Sequence, residues 1–71
     1  MLTKNDFRNL KVGAWLEDED GIVEVVSTDN LSYNNCVSTA EVILGDDDTH
    51  SLGTVNPNTT YSDLRRCTII A

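Results

Sequence analysis

Hydrophobic positions change their spacing near residue 13, and the change predicts a short helix followed by a sheet. Before it, Phe7 and Leu10 recur at a helical interval and share one face. Thr3 stands where an N-cap hydroxyl is wanted. Asp6, three residues on, is placed to reach back to the cap amide, a capping box with Asp in the usual Glu position. Leu2 before the cap and Phe7 four positions after it fit a hydrophobic staple. A helix is therefore predicted over 3–11, stopped by Gly13. It is too short to persist on propensity alone and must lie against the rest of the domain.

Beyond Val12 the period is two. Ala14–Leu16 and Ile22–Ser27 read as strands on either side of Glu17-Asp18-Glu19-Asp20-Gly21, with Asp20-Gly21 as the hairpin turn because glycine accepts positive φ. In the second strand Val23 and Val25 face one way and Ile22, Glu24 and Val26 the other. Residues 28–35, rich in Asp, Asn and Ser, read as a loop. Cys36–Leu44 reads as a third strand with Cys36, Ser38, Ala40, Val42 and Leu44 on one face, and Gly45-Asp46-Asp47-Asp48 as the next turn. Leu52–Val55 is a short fourth strand that Asn56-Pro57-Asn58 is expected to break. Ser62-Asp63-Leu64 reads as a tight helical turn capped by Ser62, and Cys67–Ile70 as the fifth strand. The expectation is one domain over 1–71, mainly β with one short N-terminal helix. Its five antiparallel strands form a small barrel or a strongly bent sheet over 12–71.

Two stretches carry a resemblance. Leu10-Lys11-Val12-Gly13-Ala14-Trp15-Leu16, followed by Asp20-Gly21-Ile22-Val23-Glu24-Val25-Val26, resembles the opening of the small SH3-like β-barrels, including the KOW-type modules. Ser62-Asp63-Leu64-Arg65-Arg66 ahead of Cys67–Ile70 resembles the one-turn helix before their last strand. The resemblance implies an SH3-like barrel; function does not follow from so widely used a fold.

Charge changes the picture more than composition does. Twelve acidic residues against five basic give −7 over 71 residues. Lys4, Arg8 and Lys11 lie before residue 12, and Arg65 and Arg66 after residue 64. The 53 residues between hold eleven carboxylates and no lysine or arginine. A freestanding nucleic-acid binder needs a basic face, so direct nucleic-acid binding is not expected. No apolar run reaches membrane-spanning length and no signal-peptide core opens the chain, so a cytoplasmic location is expected, with no membrane partner. Cys36 and Cys67 sit in apolar segments and read as buried, reduced side chains, with a disulfide joining their two strands as the alternative. The sequons Asn30-Leu31-Ser32 and Asn58-Thr59-Thr60 read as polar loops.

Candidate chemistry is sparse. Aligning Asp18, Asp20 and Gly21 with an EF-hand puts Leu16 at its first position and Ser27 at its twelfth, which fails the ligand pattern. Asp46, Asp48 and His50 alternate, but one imidazole beside a solvated turn is a poor metal site, and Cys36, Cys67 and His50 lack zinc spacing. His50 is the one imidazole available to a nucleophile, and no local motif supports such a pair. No catalytic residue, metal or cofactor is expected.

The reading that follows is a small acidic non-enzymatic protein that binds and blocks a basic, nucleic-acid-binding site on another protein or complex. That is the logic of phage-encoded anti-CRISPR and anti-restriction decoys. Its expected contact residues are Glu17, Asp18, Glu19 and Asp20, then Asp46, Asp47 and Asp48, with Trp15 and Tyr33 as aromatic anchors. An SH3-like interaction or assembly module using Trp15 and Tyr33 is the alternative. A nucleotide-sequestering protein is a third, and requires Lys4, Arg8, Lys11, Arg65 and Arg66 to converge. Self-repulsion favours a monomer; a homodimer through Val37–Leu44 stays open.

Overall fold

A computed structural model describes residues 1–71. Helix α1 (Lys4–Arg8) begins at Thr3, whose hydroxyl accepts from the Asp6 amide at 3.0 Å while the Asp6 carboxylate accepts from the Thr3 amide at 3.1 Å. The capping box forms as expected, but Asn9 ends the helix after five residues, well before Gly13. Gly13 instead holds a turn with φ +97°, donating its amide to Val25 O.

Five antiparallel strands follow: β1 (Trp15–Asp18), β2 (Gly21–Ser27), β3 (Cys36–Leu44), β4 (His50–Thr60) and β5 (Thr68–Ile69). Their order is β4-β3-β2-β1-β5, so the first four form a meander and the last returns to β1. Both outer strands keep a free edge: the sheet is open, and of the two expected forms the bent sheet is the one observed. The bend is strong. In a flat sheet β1 and β4, three strand spacings apart, would stand roughly 14 Å from each other. The Trp15 and His50 rings nevertheless meet at 4.9 Å, edge to face.

Several boundaries move from their expected places. The β1–β2 turn consists of Glu19 and Asp20, because Asp18 still pairs with Gly21 and its carboxylate accepts from the Asp20 amide. Gly21 supplies the positive φ of 140° as the first residue of β2. Part of the presumed loop at 28–35 is a helical turn, α2 (Leu31–Asn34), ended by Asn35 in the left-handed region. Strand β4 runs through Asn56-Pro57-Asn58 instead of breaking there. Its register shifts between the pairs Val37↔Thr59 and Thr39↔Asn56, and again between Ala40↔Val55 and Val42↔Leu52. In both places β4 carries an extra residue, and on an outer edge a proline sacrifices no ladder bond. Helix α3 (Tyr61–Leu64) is capped by Thr60, not Ser62: the Asp63 carboxylate accepts from the Thr60 amide and hydroxyl.

One main core lies on one face of the sheet. Leu16, Val25 and Val37 project from β1, β2 and β3, and Leu2, Phe7, Leu10, Leu64 and Cys67 close over them from α1, α3 and their flanks. Leu2 and Phe7, the staple pair, are both in that cluster. Tyr61 ties the helices together, its ring against Phe7 at 5.9 Å and its hydroxyl donating to Leu2 O. Cys36 and Cys67 are buried free thiols. On the opposite face Ala40 and Val42 are buried where the sheet folds over, with Trp15 and Glu24 in the same row as Ala40.

Candidate functional site

The helical layer is too small to cover the sheet. It roofs Leu16, Val25 and Val37 but stops short of the end where β1 turns into β2, leaving a groove of about 420 Å³. Its floor is Leu16, Val23, Leu64 and Cys67, the margin of the core. Its rim carries Asp18, Asp20, Glu41 and Asp63, contributed by β1, the β1–β2 turn, β3 and α3, and no lysine or arginine lines it. Register explains the convergence. Leu16, Val23 and Glu41 form one row across three strands, and Asp18 lies two residues beyond Leu16 on the same side. The Thr39 and Thr59 hydroxyls, buried in the wall, bond each other at 2.9 Å.

Asp18 also acts inward. Burial pushes the Cys67 thiol above its ordinary pKa, and the Asp18 carboxylate adds to the shift through its charge and by accepting from the thiol. Both effects favour the thiol over the nucleophilic thiolate.

The expected contact residues divide among several places. Asp18 and Asp20 enter the groove, and Asp18, Glu19 and Asp20 also border a second hollow of similar size with Asp63 and Arg66. Glu17 pairs with Ile22 and Thr68 and is exposed. Asp46, Asp47 and Asp48 lie at the tip of the β3–β4 hairpin, which is held by the Thr49 hydroxyl donating to Asp46 O at 2.7 Å. Asp47 and Asp48 there adopt left-handed φ of 58° and 61°. The antiparallel order puts this tip at the same end of the sheet as the β1–β2 turn, but none of the three lines the groove. Tyr33, 70% exposed on α2, belongs to the opposite end, its hydroxyl donating to Asn30. Trp15 is half-buried on the far face, its indole N–H donating to Glu24 at 2.8 Å and its ring against His50. It is a structural post, and the two aromatics share no surface with the groove.

Sequence reasoning missed Glu41 and Asp63. Glu41 was the one charge in an apolar strand, and with Val23 assigned to a face its partner across the ladder was the available signal. Asp63 was hidden by the assignment of the cap to Ser62. No lysine or arginine takes part in any side-chain hydrogen bond, but Arg66 shares a hollow with Asp18, Glu19, Asp20 and Asp63. Of the five cations, Lys4, Arg65 and Arg66 line one hollow beside Tyr61, while Arg8 and Lys11 border others. No group of three or more His, Cys, Asp or Glu side chains is arranged to hold a metal ion. No helix is long and apolar enough to cross a membrane. Comparison with protein-family models, with curated proteins and with solved structures finds no match to this chain.

Proposed function

We propose that this protein is a non-enzymatic inhibitor that occupies a basic, nucleic-acid-binding site on another protein, acting in the cytoplasm as an anti-CRISPR-like or anti-restriction-like decoy of viral origin. The observation that carries the reading is the gathering of Asp18, Asp20, Glu41 and Asp63 around one groove without a cation in its lining. Glu17, Glu19 and the Asp46–Asp48 tip extend the negative surface at the same end of the sheet. Such a surface is steered toward lysine- and arginine-lined channels, and its association weakens as salt screens the field. The one-turn α3 before β5 supports the finer resemblance to SH3-like modules, which supply the scaffold in this reading.

The test is a panel of restriction endonucleases and RNA-guided nucleases assayed for DNA cleavage with and without the protein. Inhibition of one of them is expected to weaken steeply between low and physiological salt. Asp18→Lys with Asp20→Lys is expected to abolish it without unfolding the chain. Inhibition indifferent to salt and to that reversal overturns the reading.

A second reading has its own observation. Of the five cations whose convergence nucleotide binding required, Lys4, Arg65 and Arg66 share a hollow beside Tyr61 while Arg8 and Lys11 lie elsewhere, which leaves three positive groups to offer a phosphorylated small ligand. A nucleotide panel that raises the melting temperature, with Arg65→Ala removing the rise, would favour sequestration over decoy binding.

A further inference from the structure

Resting on the decoy reading, we propose that the groove takes a single arginine side chain of the partner as its anchor. Long-range charge steers an encounter but does not by itself hold a complex; tight interfaces depend on a few desolvated anchors, arginine prominent among them. The groove has the two parts that side chain needs. Ile22 and Val23, half-buried, are the apolar lining residues that keep surface for the methylene stem, with the buried Leu16, Leu64 and Cys67 behind them, and the stem gains by leaving water. Asp18, Asp20, Glu41 and Asp63 stand around it on four separate segments, so acceptors approach the head from more than one side.

A guanidinium presents five donors in a rigid plane, forks onto carboxylates and is weakly hydrated. A lysine head is a compact, strongly hydrated charge and exploits such a ring less well. Neutral acceptors on Thr54 and Asn56 continue the wall where carboxylates end. None of the protein's own cations lines the groove, and Arg66 borders the adjoining hollow. With the helical layer ending above Leu16 and Val25, the side chain enters from the open end of the sheet.

The probe is a blocked Gly-Gly-Arg-Gly-Gly peptide, titrated into ¹⁵N-labelled protein alongside its lysine and citrulline counterparts. The arginine peptide is expected to shift the amides of Asp18, Glu41 and Asn56 and to bind at least about tenfold more tightly than the citrulline peptide, which keeps the shape and loses the charge. Glu41→Gln with Asp18→Asn should remove that advantage. Asp46→Asn with Asp48→Asn changes net charge equally and should leave it intact. Thr54→Trp, at an exposed position on the wall, keeps every carboxylate and should block entry, so the question is still answered if the carboxylate variants fail to fold. Equal weakening by the two charge-matched pairs, equal binding of citrulline, or shifts elsewhere would overturn the proposal. If the peptide fails while nuclease inhibition persists, the decoy reading survives without its anchor. If the peptide binds and no nuclease is inhibited, the groove stands and the decoy reading falls.

Discussion

On one face of this sheet, Leu16, Val25 and Val37 lie buried beneath the helices, while two to four residues along the same strands Asp18 and Val23 are half-buried and Glu41 is exposed. The strands, their pleat and their alternation are common to both halves; the roof is not. Helices of four or five residues cannot span a five-stranded sheet, and the residue types follow the limit of cover. Where the roof ends, carboxylates and hydroxyls join Ile22 and Val23 on the lining. Incomplete burial in a small domain and the acidic surface that sets this chain apart are thus two aspects of one arrangement.

Truncation on either side of that boundary is the severest way to break the comparison. Leu16, fully buried, should lose about 3 kcal/mol on Leu16→Ala, whereas Val23→Ala should cost about 1 kcal/mol, read as urea midpoints. Equal costs would mean that the halves are packed alike. Trp15→Phe removes the indole donor to Glu24 on the opposite face and should cost about 1 kcal/mol, showing how much the bend relies on that post.

The roof itself is probed at its cap. Thr3→Ala should cost up to about 1 kcal/mol, loosening α1 over the covered half. Asp6 adds a pH signature. Donation from the Thr3 amide and hydroxyl holds its carboxyl below the ordinary range, so the folded state binds fewer protons than the unfolded one. That stability is present above the ordinary aspartate value of 3.8 and is lost as pH falls through the lower folded value. Thermal melts of Asp6→Asn should lack this acid-side decline. The smallest effect belongs to the open half: Thr54→Val, on the groove wall, should change the melting midpoint by less than the equivalent of about 0.5 kcal/mol.

Much of the covered half was legible in the sequence because local rules agree there. The capping box, the staple, the opposite-facing valines of β2 and the limits of β3 follow from spacing alone, and each is found. What escaped depended on partners distant in the chain. Pro57 continues β4 because that strand lies at the edge, a fact decided by which strands flank β3. A helical turn at Leu31–Asn34 arises in a segment too polar to announce one. The candidate site was half visible: runs of acid mark Asp18, Asp20 and the Asp46–Asp48 tip, but Glu41 joins only through register and Trp15 leaves through its bond to Glu24.

Strand β4 leaves eleven residues with one side of the backbone unpaired, and Leu52 and Val55 stand exposed along it. An open edge of this kind invites a strand from another molecule to dock and begin a growing fibre. Two irregularities in register and the missing amide of Pro57 spoil it as a template. Mutual repulsion at a charge of −7 keeps copies apart as well. Near pH 4.2, where that charge vanishes, the backbone irregularities are left as the main guard against self-assembly, and light scattering should rise there before the fold is lost.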